Sequence, residues 1–392
     1  MTHYKYLILG GGMAGDAAVR GIHEVDPAGT IGMIGREPDA PYTRPLLSKG
    51  LWKGKPFEQV WRGTEKQGVS LHLGSEAVQL DVQKKQVKDD QGNEYTYDKL
   101  LLATGGTPNR LPFGGEEVIY FRELRDYQRL RGLADDRERF LVVGGSFIGS
   151  EIAAALTMVG KKVTLVSRHD ALADNIFPKE LAEYLNDYYR EKGVELVSGD
   201  EVTGLEKRGE RYLVRTKEGR TFDVDGVVAG LGIRPNVDLA REAALEVKDG
   251  IVVDEHAQTS APDVYAAGDA AMFYHATLGK QTRVEHEDNA LKMGLLAGHN
   301  MAGAQERYTH VPYFYSDLFE LGYEAVGELS SKLETVIDWQ EPFKKGVIYY
   351  LDQGRVRGVL LWDVWKQRDA ARALLAEAGP FTEKDLKGKI SG

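Results

Sequence analysis

Two glycine-rich segments of the sequence have the spacing that a bound pyrophosphate requires. Residues 10–15 read Gly-Gly-Gly-Met-Ala-Gly, with glycine at the first, third and sixth positions. In such a loop the first glycine makes a tight turn, the second lets the backbone approach the pyrophosphate, and the third lets strand and helix pack closely. Residues 144–149 read Gly-Gly-Ser-Phe-Ile-Gly, with Ser146 at the middle position. One such loop is a modest signal, whereas two of them favour a protein that binds two dinucleotides.

The residues after the second strand of each unit indicate which nucleotide each loop takes. An acid there suits a free ribose 2′-hydroxyl, and an arginine suits a 2′-phosphate. After the second loop the chain reads Ser167-Arg168-His169, so we expect NADPH to be favoured over NADH; the alternative is a solvated arginine at a strand end. After the first loop the chain reads Gly35-Arg36-Glu37, so the expected acid is displaced by one place. Glu37 or backbone groups are then left to hold the ribose of the other dinucleotide, which we expect to be FAD.

The elements around both loops are predicted in the same order of strand, glycine turn, helix and strand. For the first loop these are a strand at 6–9, a helix to about Glu24 and a strand at 30–34. For the second they are a strand at 140–143, a helix to about Val159 and a strand at 163–166. Antiparallel β-structure is predicted at 77–87, 94–97 and 194–228. The tail alternates like a sheet at 346–351 and 356–361 and ends in a helix at about 366–378. The pattern predicts two related α/β units and a third α+β domain.

Composition excludes several classes of function. The 392 residues contain no cysteine, which rules out disulfides, cysteine nucleophiles and iron–sulfur clusters bound by the chain's own thiolates. We therefore expect electrons to move through an organic cofactor, and we expect no metal site. The net charge of −10 argues against broad nucleic-acid binding. The longest apolar runs are too short to span a bilayer, and the N-terminus enters a strand at once, so we expect a soluble, cytoplasmic protein without membrane insertion.

On these residues the sequence resembles the apoptosis-inducing factor family and, more widely, the flavin reductases that serve bacterial ferredoxins. The matching runs are Pro41–Lys49, Leu102–Pro108, Ala266–Ala270, Arg283–Asp288, Tyr315–Leu318, Gly322–Ala325 and Lys345–Tyr350. The resemblance implies two Rossmann-like domains of the glutathione-reductase type and a C-terminal α+β domain. We predict an FAD-binding domain from residues 1–110 and 233–307, an NAD(P)H-binding domain from 111–232 and a C-terminal domain from 308–392.

For the FAD side, the resemblance implies specific roles for named residues. Arg44 would neutralise the pyrophosphate, Asp269 would accept a ribityl hydroxyl, and the backbone of Val78 would face the adenine. Arg122 would touch the flavin from the linker that enters the second domain. The remaining FAD candidates are Gly10, Gly12, Met13, Ala14, Gly15, Arg36, Glu37, Ala103, Thr104, Gly105 and Gly268.

Lys49, Glu151 and His286 are the catalytic candidates, and they act by tuning the flavin. The resemblance implies that Lys49 lies near flavin N5 and pairs with Glu151. Buried together, the two charges would satisfy each other, whereas a lone buried charge would be costly. Glu285 and His286 stand at the start of a predicted helix at 287–301. The resemblance implies that its N-terminus points at the pyrimidine edge of the flavin, where it would favour a reduced anionic flavin. The nicotinamide candidates are Phe147, Ile148, Gly149, Ser167, Arg168, His169, Gly232 and Glu324. Tyr315 stands where the animal proteins have a tryptophan near the flavin.

The resulting hypothesis is an FAD-dependent NAD(P)H oxidoreductase. Hydride passes from nicotinamide C4 to flavin N5, and electrons then pass to a ferredoxin-like protein, a quinone or another small acceptor. A ferredoxin would need a basic rim, for which Lys53, Lys55, Lys344 and Arg355 are candidates. The alternative is a redox-sensing flavoprotein whose NAD(P)H-reduced charge-transfer complex controls dimerisation and partner binding. We expect the chain to be a monomer or a redox-dependent homodimer. DNA binding does not carry over, because the chain is acidic.

Overall fold

The computed structural model describes residues 1–390, which form two compact units. The first unit comprises Met1–Arg44, Phe57–Thr107 and Arg234–Pro312. The second comprises Pro45–Pro56, Pro108–Ile233 and the chain from Tyr313 onward. Residues 45–56 therefore group with the second unit, although they lie within the predicted FAD-binding domain. The last two residues of the predicted C-terminal domain, 391–392, lie outside the described residues.

The first unit is built on a seven-stranded sheet whose central strands are parallel. Its strands, in spatial order, are Ser70–Leu73, Ile31–Gly35, Thr2–Leu9, Glu94–Leu102, Gln86–Asp89 and Ala77–Asp81, and Val264–Ala266 also pairs with Glu94–Leu102. The central strand Thr2–Leu9 has apolar residues on both faces, as expected for a parallel strand covered on both sides. The glycine loop therefore lies at the carboxyl edge of a buried sheet, where doubly wound proteins bind their ligands.

Two long helices pack against each other in the first unit, and each directly follows candidate residues. Met13–Val25 follows the first glycine loop, and Glu287–Met301 follows His286. The second of these confirms the predicted helix at 287–301. The remaining elements are the short helix Asp238–Glu242, the 3₁₀ turns Phe57–Val60, Thr64–Lys66 and Gly268–Ala270, and a three-stranded sheet of Ile251–Val252, Ala271–His275 and Lys280–Arg283.

The second unit contains a five-stranded parallel sheet and an antiparallel one. The parallel strands, in spatial order, are Val194–Ser198, Lys162–Ser167, Arg139–Val143, Gly226–Ala229 and Val118–Tyr120. Its helices are Leu124–Asp136, Phe147–Met158 and Lys179–Glu191. The antiparallel strands are Val202–Arg208, Arg211–Thr216 and Thr221–Val224. The helix Phe147–Met158 directly follows the second glycine loop and packs on the parallel sheet.

One sequence-based prediction in this region is wrong. The segment 194–228 is not a single antiparallel meander, because its first and last strands belong to the parallel sheet. The last strand, Gly226–Ala229, is buried along its whole length. Full burial is typical of a central parallel strand covered on both faces, whereas an antiparallel strand commonly alternates between buried and exposed residues. Only residues 202–224 form the antiparallel meander.

The chain beyond residue 312 forms a five-stranded antiparallel sheet with two helices, which confirms the predicted α+β architecture. Its strands, in spatial order, are Tyr313–Leu318, Leu321–Gly327, Arg355–Trp362, Lys345–Asp352 and Glu334–Glu341. The helices are Arg368–Ala376 and Glu383–Leu386, the first of them shorter than predicted.

The remaining elements of the chain are short. They are the 3₁₀ turns Arg44–Leu47, Gly50–Lys53 and Gly115–Glu117, and the strands Gly106–Pro108 and Ile233–Pro235. Within residues 1–390 we find no helix whose length and hydropathy suit a bilayer crossing.

Candidate functional site

In the first unit, the structure brings together the first glycine loop and the ends of neighbouring strands. Gly10 has φ +126°, a conformation that favours glycine, and an ideal β-carbon on it would lie 2.0 Å from the Ala103 carbonyl oxygen. Gly268, also with positive φ, lies against the Ala14 side chain, where an added β-carbon would come within 3.0 Å. Met13 and Ala14 begin the helix that follows the loop. These predicted FAD residues therefore share one end of the sheet.

The geometry of the first loop fits a bound pyrophosphate. A β-carbon added to Gly12 would meet nothing within 4 Å, so packing within the protein does not require glycine there. The helix Met13–Val25 has no side-chain cap at its N-terminus, which leaves backbone N–H groups for an anion. Open space beside uncapped N–H groups is what the phosphates of FAD need. Thr104, next to Ala103, is fixed by a hydrogen bond from its Oγ1 to the backbone oxygen of Asn236 (2.6 Å).

Arg44 and Glu37, both predicted to contact FAD, form a pair in the first unit. The Arg44 guanidinium lies 2.7 Å from Glu37 Oε1, and Tyr42 donates a hydrogen bond of 2.5 Å to Glu37 Oε2. The surrounding charges of Tyr42, Glu37 and Asp269 outweigh burial and raise the pKa of Arg44 further. A charged Arg44 suits the predicted role at a pyrophosphate. Arg36 lies 3.8 Å from Glu76. Val78 is 48% exposed on its strand.

His286 occupies the position immediately before the helix Glu287–Met301, and its side chain makes no capping hydrogen bond. Burial lowers the pKa of His286 to about 4, although Asp269 and Asp288 act in the opposite direction. The imidazole is therefore neutral at neutral pH, so it adds no full positive charge to the partial charge of the helix terminus. Glu285 is held by Arg283 at 2.5 Å, and Arg283 also donates a hydrogen bond to the backbone oxygen of Asp269.

The second glycine loop repeats the geometry of the first one within the second unit. Gly144 has φ +106°, and its added β-carbon would lie 2.4 Å from the Gly230 carbonyl oxygen, as Gly10 meets Ala103. Ser146 makes no side-chain cap for the helix Phe147–Met158. Ser146 is exposed, so its side chain takes no space in the packed interior. Gly230 was missed by the sequence argument, which considered only Gly232, two residues further along.

Ser167, Arg168 and His169 follow the strand next to the second loop. Ser167 is buried, and its Oγ accepts a hydrogen bond of 3.1 Å from the His169 backbone N–H. His169 Nδ1 lies 3.1 Å from Asp174, a residue that the sequence argument did not identify. Arg168 is exposed, and no acidic side chain within residues 1–390 forms an ion pair with it. The guanidinium is therefore available to an anionic ligand.

Lys49 and Glu151 form the predicted ion pair, with 2.8 Å between Lys49 Nζ and Glu151 Oε2. Their side chains are only 10% and 2% exposed, so this is a buried pair and not a surface one. Sequence reasoning missed two hydroxyls that complete it: Ser48 and Ser316 each donate a hydrogen bond of 2.6 Å to Glu151. Both serines lie inside the runs that carry the family resemblance, and this position was the sequence feature that could have identified them.

The other candidates of the second unit surround this pair or lie apart from it. Tyr315 places its ring centre 5.1 Å from Lys49 Nζ, a cation–π distance. Phe147 packs edge-on against Phe314, with 5.3 Å between ring centres. Glu324 is buried, which raises its pKa, and its Oε1 lies 3.4 Å from Arg368. The Arg122 backbone N–H is bound by Asp126, and the described contacts do not join Arg122 to Lys49 or Glu151.

The lowered pKa of His286 gives a prediction about stability against pH. With a folded pKa of about 4 and an ordinary value of 6.5, the unfolded chain binds more protons between these two pH values. The free energy of unfolding should therefore fall as pH is lowered through this window. His286→Asn should flatten that fall, as measured by thermal unfolding midpoints across the window. The control is His3→Asn, at an exposed histidine, and a wild-type slope in His286→Asn would contradict the prediction.

Comparison with known proteins agrees with this geometry. Residues 4–294 match the family described as pyridine nucleotide-disulphide oxidoreductase, and residues 297–342 match the mitochondrion-associated C-terminal domain of apoptosis-inducing factor. The chain is 33% identical to monodehydroascorbate reductase 3 of Arabidopsis thaliana, over 97% of this chain and 94% of that protein.

Another relative and a solved structure also match nearly the whole chain. The chain is 32% identical to the 5,5'-dehydrodivanillate O-demethylase ferredoxin reductase subunit of a Sphingobium species, covering 98% of this chain and 96% of that one. A covalent putidaredoxin reductase–putidaredoxin complex superposes with a TM-score of 0.89 at 28% identity, over 96% of this chain and 94% of the reductase. The chain therefore belongs to the pyridine nucleotide-disulphide oxidoreductase family and is an FAD-dependent NAD(P)H oxidoreductase.

Proposed function

We propose that this oxidoreductase takes its hydride from NADPH in preference to NADH and passes electrons to a ferredoxin-like iron–sulfur protein. The observation that carries the nucleotide preference is the exposed Arg168, which follows the strand Lys162–Ser167 without an acidic partner within the described chain. An acid at this place would bind the ribose of NADH, whereas a guanidinium binds a 2′-phosphate with two charge-assisted hydrogen bonds.

The residues of the first glycine loop would hold FAD in this proposal. The uncapped N-terminus of Met13–Val25 and the Arg44 guanidinium supply positive charge for its pyrophosphate. Asp269, in the turn Gly268–Ala270, offers a carboxylate for a ribityl hydroxyl. When bound, FAD accepts a hydride from the reduced nicotinamide and releases the electrons to the acceptor.

Lys49, Glu151 and His286 tune this chemistry without a proton transfer of their own. Glu151 holds the Lys49 ammonium in one place, because the carboxylate is itself fixed by two serine hydroxyls. A preoriented ammonium stabilises negative charge at no reorganisation cost. The neutral His286 adds no full charge, and the helix that follows it contributes a partial positive charge.

The proposed acceptor rests on the relatives. One full-length relative is named as a ferredoxin reductase subunit, and a superposable structure is a reductase bound covalently to putidaredoxin. This chain has no cysteine and therefore no thiolate-bound cluster of its own, so the iron–sulfur centre of the proposed acceptor would belong to a separate protein.

The nucleotide preference is tested by anaerobic stopped-flow bleaching of the flavin with NADPH and with NADH. The wild type should be reduced at lower concentrations of NADPH. Arg168→Ala should weaken NADPH binding by about tenfold or more, the loss expected for one charge-assisted contact, and should leave NADH nearly unchanged. The control Arg190→Ala removes an exposed arginine that pairs with Asp187 on its own helix. Faster reduction of the wild type by NADH would contradict the proposal.

A second candidate is a small-molecule acceptor. It is favoured because some cations of the predicted basic rim are already paired with acids of this chain. Lys53 lies 3.3 Å from Asp317, and Lys344 lies 2.7 Å from Glu341, so two of the four rim cations are paired with acids of this chain. Ferredoxins are acidic, and a chain of net charge −10 in which two of the four rim cations are already paired offers them less attraction. One full-length relative is named as a monodehydroascorbate reductase.

Salt dependence separates the two acceptors. If the acceptor is an acidic ferredoxin, its reduction by NADPH-charged enzyme should slow steeply as ionic strength rises through the physiological range. Reduction of a neutral quinone under the same conditions is the control and should change little. A flat response with the ferredoxin, together with faster turnover of the small acceptor, would support the second candidate. Reduced protein that persisted in air and became dimeric would instead support a redox sensor.

A further inference from the structure

The Glu151 carboxylate is bound through each of its oxygens by a different part of the second unit. Oε2 receives hydrogen bonds from Lys49 Nζ (2.8 Å) and Ser48 Oγ (2.6 Å). Oε1 receives one from Ser316 Oγ (2.6 Å). Within residues 1–390, Ser316 is the one side chain that donates a hydrogen bond to Oε1. The two oxygens are therefore not equivalent in what holds them.

This asymmetry gives the two serines different consequences. Without Ser48, Oε2 keeps its bond to Lys49, and both oxygens remain held. Without Ser316, Oε1 has no donor, and only the two hydrogen bonds at Oε2 oppose rotation of the carboxylate about its last torsion, which is soft for a glutamate. Rotation of Glu151 moves the atom that fixes Lys49 Nζ. The position of Lys49 thus depends more on Ser316 than on its own neighbour Ser48.

The strand that carries Ser316 contacts both members of the pair. Ser316 is buried, 1% exposed, in the middle of Tyr313–Leu318, and it pairs in register with Tyr323 of the next strand. The preceding residue, Tyr315, places its ring 5.1 Å from Lys49 Nζ. The antiparallel sheet beyond residue 312 therefore contacts both Glu151 and Lys49 and helps to hold the ion pair in place.

We infer that Ser316 is a positioning residue for hydride transfer, acting through Glu151 and Lys49. This rests on the proposed function, in which Lys49 tunes the flavin. Ser316 holds the plane of the Glu151 carboxylate, and Glu151 holds the Lys49 ammonium. The C-terminal sheet thereby takes part in the reductive step without touching either nucleotide through this residue.

The test compares Ser316→Ala with Ser48→Ala in the holoenzyme, since both remove a buried hydroxyl at the same distance from Glu151. In anaerobic stopped-flow with NADPH, Ser316→Ala should lower the limiting rate of flavin reduction by about tenfold or more, the loss expected for one hydrogen bond to a charged group. Ser48→Ala should lower it by less than about threefold, and NADPH affinity should change by less than about twofold in both. Ser316→Ala alone should also shift the pH profile of the limiting rate.

A second measurement does not depend on turnover. Thermal unfolding of Ser316→Ala, Glu151→Ala and the double variant forms a cycle that measures the coupling of the two side chains. We expect Ser316→Ala to destabilise the wild type more than it destabilises the Glu151→Ala background. Additive effects would overturn the contact itself.

Equal rate losses in the two alanine variants, or a wild-type rate and pH profile in Ser316→Ala, would overturn the positioning role. If Ser316→Ala does not fold, Ser316→Thr keeps the hydroxyl, and reduction within about threefold of the wild-type rate supports the inference, whereas a loss of about tenfold or more contradicts it. A wild type that NADPH does not bleach would mean that the proposed function fails, and the unfolding cycle would still decide the Ser316–Glu151 contact.

Discussion

Both units depend on a turn from strand to helix that has no room for a β-carbon. An ideal β-carbon on Gly15 would lie 2.3 Å from the Gly10 carbonyl oxygen, and one on Gly149 would lie 1.8 Å from that of Gly144. Real β-carbons do not approach a backbone atom so closely. Each helix can therefore begin directly against the end of its strand, and its first N–H groups open toward the turn. The neighbouring strand ends, at Ala103 and Gly230, close against the same turns.

A buried charge imposes the second constraint, and it connects parts of the chain that are far apart in sequence. Glu151 is 2% exposed, and an isolated carboxylate at such a depth is costly. Its partners lie more than a hundred residues away, in the segment 45–56 and in the strand that begins at Tyr313. The same carboxylate is one of several contacts that join residues 45–56 to the second unit, and it links the C-terminal sheet to the Lys49–Glu151 pair.

The parts of the structure that the sequence predicted are those set by local chemistry. The glycine loops, the helix that starts after His286 and the Lys49–Glu151 pair follow from spacing, from capping positions and from short runs shared with a family. The parts that it missed depend on pairing over long distances. Nothing local distinguishes Val194–Ser198 as a parallel strand, since that depends on its neighbour Lys162–Ser167. The roles of Ser48 and Ser316 became visible only where the fold places them against Glu151.

The central claim is that the second glycine loop binds the nicotinamide nucleotide while the first holds FAD. Gly149→Ala tests it most directly, with Gly132→Ala as control, because an added β-carbon on the exposed Gly132 meets nothing within 4 Å. Purified Gly149→Ala should retain its flavin and be bleached by dithionite, but NADPH should no longer bleach it, whereas Gly132→Ala should behave as the wild type. Bleaching of Gly149→Ala by NADPH at the wild-type rate and concentration would contradict the account.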